Sequence, residues 1–330
     1  MSAISRRLFV TSTMTAALAA PFLARSAFAK TTTITVASLL GEDKPETKIW
    51  RFIAQQVEAK LPGRFRFNIV PNGALGGEKE VAEASRLGSV QASLSTVSAL
   101  SGWVPELQIL DLPFLFKDPA HLRRIVTGTT GTELQAKLAT QNFIATAFID
   151  YGARHLLTKE PITSPEGLRG KRIRVIQSPL HTKLWSAYGA SPIGIPITET
   201  YNALSTGVAD AMDLTKSAYA GFKLYEVVPY LTQTAHIRAS GVVYFAASFW
   251  AGLSAEEQAV MTKAAQEGAE YFNRLIVEDE TRSMEQAAAK GGKVLQPENL
   301  DGWRNGARSV WSDFSAIVGG MQKIEAIASA

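Results

Sequence analysis

Arginines set among strand-forming residues carry the first chemical signal in this chain. Arg174 lies inside the run Ile173-Arg174-Val175-Ile176, and Arg154 follows Gly152 at the end of the apolar stretch Ile144–Ile149. A guanidinium among β-branched neighbours must pair with an acid, snorkel to water or hold an anion. Its planar fork matches a carboxylate bidentately. On the residues alone, an ion pair between structural elements and an anion site both stay open.

Other chemistry is poorly represented. The four histidines, His121, His155, His181 and His236, show no metal-ligand spacing, and there is no cysteine for thiolate catalysis, disulfides or cysteine zinc sites. The sequence contains no G-x-S-x-G elbow, no G-x-x-x-x-G-K-[ST] loop, no H-E-x-x-H and no G-x-G-x-x-G. Gly73-Ala74-Leu75-Gly76-Gly77 is glycine-rich but lacks the basic residue of a phosphate loop. It reads as a turn feeding a helix start, whose N–H groups can still face an anion.

The elements that would position these residues alternate between strand and helix. Strands are expected at Thr33–Ser38, Phe65–Ile69, Val90–Leu94, Ile144–Ile149 and Ile173–Ile176. Helices are expected at Lys48–Lys60, Glu78–Leu87 and Thr198–Ser205, the last with Thr198 as N-cap. The alternation predicts mostly parallel pairing with right-handed crossovers. Ser254-Ala255-Glu256-Glu257 is a capping box, and the helix it opens meets no proline before Gly291-Gly292. Such a helix is ~54 Å long, enough to span two small lobes, with Gly268 as an interior weak point. A further amphipathic helix after Asn299 carries Trp303, Val310, Trp311 and Phe314.

The chain has 330 residues, 46% hydrophobic and 19% charged, which suggests about two domains with ample cores. This excludes a disordered, collagenous or coiled-coil chain. The N-terminus reads as an export signal: the pair Arg6-Arg7, the modest apolar run Met14–Ala24, then Ala27-Phe28-Ala29 before a cut at Lys30. The arginine pair favours the twin-arginine route over general secretion. Without Arg6, Arg7 and Arg25, 31 basic residues face 30 acidic ones, so nothing suggests a nucleic-acid surface. No later stretch reaches ~18 apolar residues, so a soluble periplasmic protein is expected.

Several segments, in order, resemble the substrate-binding subunit of tripartite ATP-independent periplasmic (TRAP) transporters, the family named for dicarboxylate binding. They are Gly73–Glu80, Arg86-Leu87-Gly88, Leu112–Asp118, Leu168–Val175 and Glu199–Asp210. The resemblance covers nearly all of the chain beyond the export segment. It implies an α/β fold of two lobes joined by hinge strands and crossed by the helix of about 254–290. Lobe I would hold 30–152 with part of 237–280, and lobe II 153–236 with part of 281–330.

The same resemblance implies that Arg174 clamps the carboxylate of an organic acid. It gives Arg154, Gln177, Glu78 and Lys79 as further cleft residues. Where many members carry an asparagine that touches ligand, this chain has Leu214, with Asp213 beside it, and Ile197 replaces a common aromatic. Asp213 then either meets the ligand's hydroxyls or an amine, or pairs with Arg154 away from it. The expected function is a receptor that closes on a small organic acid, a sugar acid being one that the departure at Asp213 would admit, and docks on a TRAP permease. No cofactor, ATP or nucleic acid is implied. An exported sensor or an exported enzyme using the same cleft are the alternatives.

Overall fold

A computed structural model describes residues 31–330, whose strands join in one nine-stranded sheet. The expected export segment over 1–29 lies outside the described residues. In chain order the strands are β1 Thr32–Ala37, β2 Phe65–Val70, β3 Ala92–Thr96, β4 Phe143–Thr158, β5 Arg172–Val175, β6 Ser191–Gly194, β7 Ala211–Thr215, β8 Tyr230–Ala246 and β9 Lys293–Leu295. Across the sheet they run β2-β1-β3-β8-β4-β7-β5-β6, with β9 beside β8.

The sheet is mixed rather than mostly parallel. β1 pairs in parallel with β2 and β3, and β5 with β6 and β7, as strand–helix alternation requires. The centre is antiparallel, through β3–β8, β8–β4 and β4–β7. The reason is that β4 and β8, 16 and 17 residues long, form one ladder running through both halves of the molecule. Ordinary strands average about 5–6 residues.

The sequence showed only the apolar first part of β4. Beyond it the ladder shifts register at Asp150/Gly152 and again at Arg154/Leu156. Such bulges break the period-2 pattern and bend a strand. Gly152 is required at the first, since its φ is +94° and a Cβ there would lie 2.2 Å from an oxygen of Glu280.

Two lobes result, one built on β2, β1 and β3 and the other on β7, β5 and β6, with β4 and β8 passing through both. Trp50, Ile53, Phe245 and Phe272 share one core cluster, and Leu157, Leu204, Met212 and Tyr219 share another. The helix Ala255–Ala289 opens on the expected capping box: the Ser254 hydroxyl accepts from the Glu257 N–H at 3.2 Å, and the Ser254 N–H donates to the Glu257 carboxylate at 2.7 Å. Its buried face, Met261, Ala265, Gly268, Phe272, Ile276, Asp279 and Ser283, keeps the spacing of one helical stripe. That face packs on the helix Pro45–Lys60 of the first lobe, on β4, and on the short helix Lys216–Gly221 of the second.

One expected detail is corrected. The helix Ile197–Ser205 has Pro196, not Thr198, at its N-cap. Proline fixes φ and lacks an N–H, so the extended flanking residue falls there and Thr198 lies in the first turn. Among the described residues, no helix is long and apolar enough to cross a membrane.

Candidate functional site

Strand β5 carries Arg174 to the junction of the lobes. Its neighbours Ile173 and Val175 are fully buried in the core, and strand alternation turns Arg174 to the other face. The side chain is itself buried, at 2% exposure, yet its Nε donates only to the Ile195 carbonyl, at 2.8 Å. No ion pair to Arg174 forms among the described residues. Burial, with the Arg154 cation nearby, pushes its pKa down to about 10. A buried cation without a counter-charge is costly, and an anion placed against it removes that cost.

Arg154 is differently placed. Its Nε donates to Asp213 Oδ2 at 2.5 Å and its Nη2 to the Asp213 carbonyl at 2.8 Å. Burial alone would raise the Asp213 carboxyl; the Arg154 guanidinium and the His236 bond outweigh it and hold the group well below the usual carboxylate range. Burial also lowers the His236 pKa, so the ring is neutral at pH 7. A carboxylate can only accept, so His236 Nε2–H donates to Asp213 at 3.2 Å. Its Nδ1 then accepts from the Thr234 hydroxyl at 2.7 Å. Of the two placements open for Asp213, the structure has the pair with Arg154.

Arg154, Arg174 and Glu78 line one cavity, in which the space open to the centres of water-sized molecules is about 50 Å³. Glu78 begins the helix Glu78–Arg86, and its Oε1 accepts from the Thr96 N–H at 2.6 Å. Burial raises its pKa against the opposing Thr96 bonds and the two arginines. Gln177 and Lys79 line a smaller adjoining pocket of about 20 Å³, which shares Arg174 and Glu78 with the first. Asp213 stands behind Arg154 and lines neither. A larger cavity of about 230 Å³ flanks the long helix elsewhere, but there Arg238 already pairs with Asp150 at 2.6 Å.

Sequence reasoning missed Glu46 and Tyr151. Glu46 is buried, accepts from the Leu39 N–H at 2.7 Å and from the Tyr151 hydroxyl at 3.4 Å, and lines the cavity. Burial is the main cause that pushes its pKa up to about 7. Following Pro45, it looks like any acid in a helix's first turn. Tyr151 stands on the hinge strand, where it looks like one more core aromatic.

The model of the DctP family, described as bacterial extracellular solute-binding protein family 7, matches residues 36–316. A solute-binding protein of Verminephrobacter eiseniae is 30% identical over 75% of this chain and 74% of its own length. A TRAP periplasmic solute-binding protein from a Bradyrhizobium species, solved with galacturonate, is 30% identical at a TM-score of 0.85, covering 90% of this chain and 98% of that one. One from Sulfurospirillum deleyianum, solved with succinate, is 28% identical at a TM-score of 0.84, covering 90% of this chain and 99% of that one. With the family model spanning most of its length and the two-lobed fold shared, this chain belongs to the DctP family of extracellular solute-binding proteins, as the resemblance of its motifs implied.

Proposed function

We propose that the protein captures a small organic acid between its lobes and delivers it to a TRAP membrane permease. The observation that carries this reading is the buried Arg174 guanidinium, which among the described residues has one backbone carbonyl as partner and no acid. The related receptors solved with galacturonate and succinate support an acid as the cargo. Arg154, whose charge is met by Asp213, and Glu78 line the same space.

In this reading lobe I comprises 30–152 with part of 237–280, and lobe II comprises 153–236 with part of 281–330. Closure expels water and strengthens the charge contact, because Coulomb energy scales inversely with the effective dielectric. The ligand draws the lobes together through its preference for the closed form. The acid leaves unchanged, so the protein is a receptor rather than an enzyme. Residues 1–29 act as a twin-arginine export signal, and the protein works in the periplasm after removal of that segment.

Thermal-shift screening against uronates, aldonates, 2-oxo acids, aromatic acids and dicarboxylates identifies the acid, since a specific ligand raises the melting temperature by mass action. Isothermal titration of that acid against Arg174→Ala then tests the clamp. A charged hydrogen bond contributes about 1.5–3 kcal/mol, so the loss is expected to be tenfold or more. Arg174→Lys, which keeps the charge but not the fork, falls between. Unchanged affinity in the alanine variant overturns the reading.

A further inference from the structure

We propose that the acid taken by this cleft is a monocarboxylate with an apolar body, not a dicarboxylate and not a hydroxyl-rich sugar acid. The inference rests on the reading that Arg174 holds a carboxylate, and it adds what the remainder of the ligand must be.

Charge balance sets the number of carboxylates. Arg154 and Arg174 are the cations on the cavity wall among the described residues. Arg154 is already neutralised by Asp213, through both the side-chain and the backbone bond. That leaves one guanidinium for one anionic group. Glu46 and Glu78 stand on the same wall, and among the described residues neither is engaged in an ion pair. A second ligand carboxylate within this cavity would be buried beside these acids, because Lys79, the further cation nearby, lines the adjoining pocket instead, and a low-dielectric cavity penalises such an unmatched charge heavily.

Wall chemistry sets the body. Apart from the arginines, much of the wall is Leu39, Leu40, Leu214, Ala218, Phe222 and Ile276. Two of the polar groups on this wall, Glu46 and Ser217, are already bonded within the protein. Glu46 accepts from the Leu39 N–H and the Tyr151 hydroxyl, and the Ser217 hydroxyl donates to Asp279 at 2.6 Å. Sugar hydroxyls placed against these six apolar side chains would lose water and gain no partner there, whereas an aliphatic or small aromatic body gains by burial. Thr215 is opposite Arg154 across the β4–β7 ladder. Thr215 also lines the cavity, so its hydroxyl can meet a single keto or hydroxyl group on the ligand.

The test compares 3-methylbutanoate and 4-methyl-2-oxopentanoate with D-galacturonate, succinate and the uncharged 3-methylbutanamide, by thermal shift and titration calorimetry on the intact protein. The branched acids are expected to bind at least about tenfold more tightly than galacturonate or succinate, and the amide not to bind. Galacturonate or succinate binding as tightly as the branched acids overturns this inference and leaves the receptor reading standing. Failure of all these acids and of the wider acid panel sinks the receptor reading itself. As an independent check, Leu214→Asn puts an amide on the apolar wall and is expected to shift relative affinity toward galacturonate. A variant that folds, binds and keeps an unaltered preference contradicts the assignment of that wall.

Discussion

At the scale of single residues, the site is decided by which charges are already matched. Arg154 and Asp213 form a closed buried pair, while Arg174 is left with a lone carbonyl. Glu46 is the opposite kind of imbalance: a buried carboxyl with hydrogen bonds but no cation among the described residues, whose pKa rises to about 7. A carboxyl raised in the folded state favours its neutral form there. Its contribution is therefore most favourable below the unfolded value near 4.5 and is lost as pH climbs through about 7. Between pH 5 and pH 8 this should cost the ligand-free protein about 2–3 kcal/mol of stability. Glu46→Gln, which fixes the neutral form, should remove that slope in urea unfolding measured across the range. Parallel pH profiles for the two proteins would contradict the assignment. The sequence disclosed Arg174 because a charge within a β-branched run is conspicuous. It hid Glu46 because an acid after a helix-opening proline is commonplace, and its burial arises from the packing of β1, the first helix and the hinge strand.

Among elements, the long helix shows where local rules stop. Its start and its length were readable from Ser254 and the absence of proline, whereas its buried stripe came only with the structure. Gly268 reads locally as a flaw, since alanine there would ordinarily favour a helix by roughly 1 kcal/mol. Packing reverses that sign. A Cβ at position 268 would lie 2.8 Å from Ile53 Cγ1 and 3.2 Å from Ile49 Cγ1, both on the crossing helix Pro45–Lys60. Gly268→Ala is accordingly expected to lower stability by about 1–3 kcal/mol, the usual cost of overpacking. A raised unfolding midpoint in that variant would show that the helices separate freely. The long strands were harder to read for a related reason. In β4 and β8 the pattern changes along the strand, from core-facing apolar residues to bulged and charged ones at Gly152 and Arg154, because each strand serves two different lobes.

For the molecule as a whole, the two lobes and their helical strut follow from alternation and length, and the family match agrees with them. The identity of the cavity wall did not follow, because Leu39, Pro45, Thr96, Tyr151, Leu214 and Phe272 come together from segments far apart in the chain. Closing the cleft collects these groups around Arg174, so ligand chemistry and closure are a single event in this account. The most direct measurement is a crystal structure of the protein with the acid that gives the largest thermal shift. Both carboxylate oxygens of that acid are expected to lie within hydrogen-bonding distance of the Arg174 guanidinium, between closed lobes. An acid bound elsewhere, with Arg174 turned to Glu78 or another protein carboxylate, would contradict it.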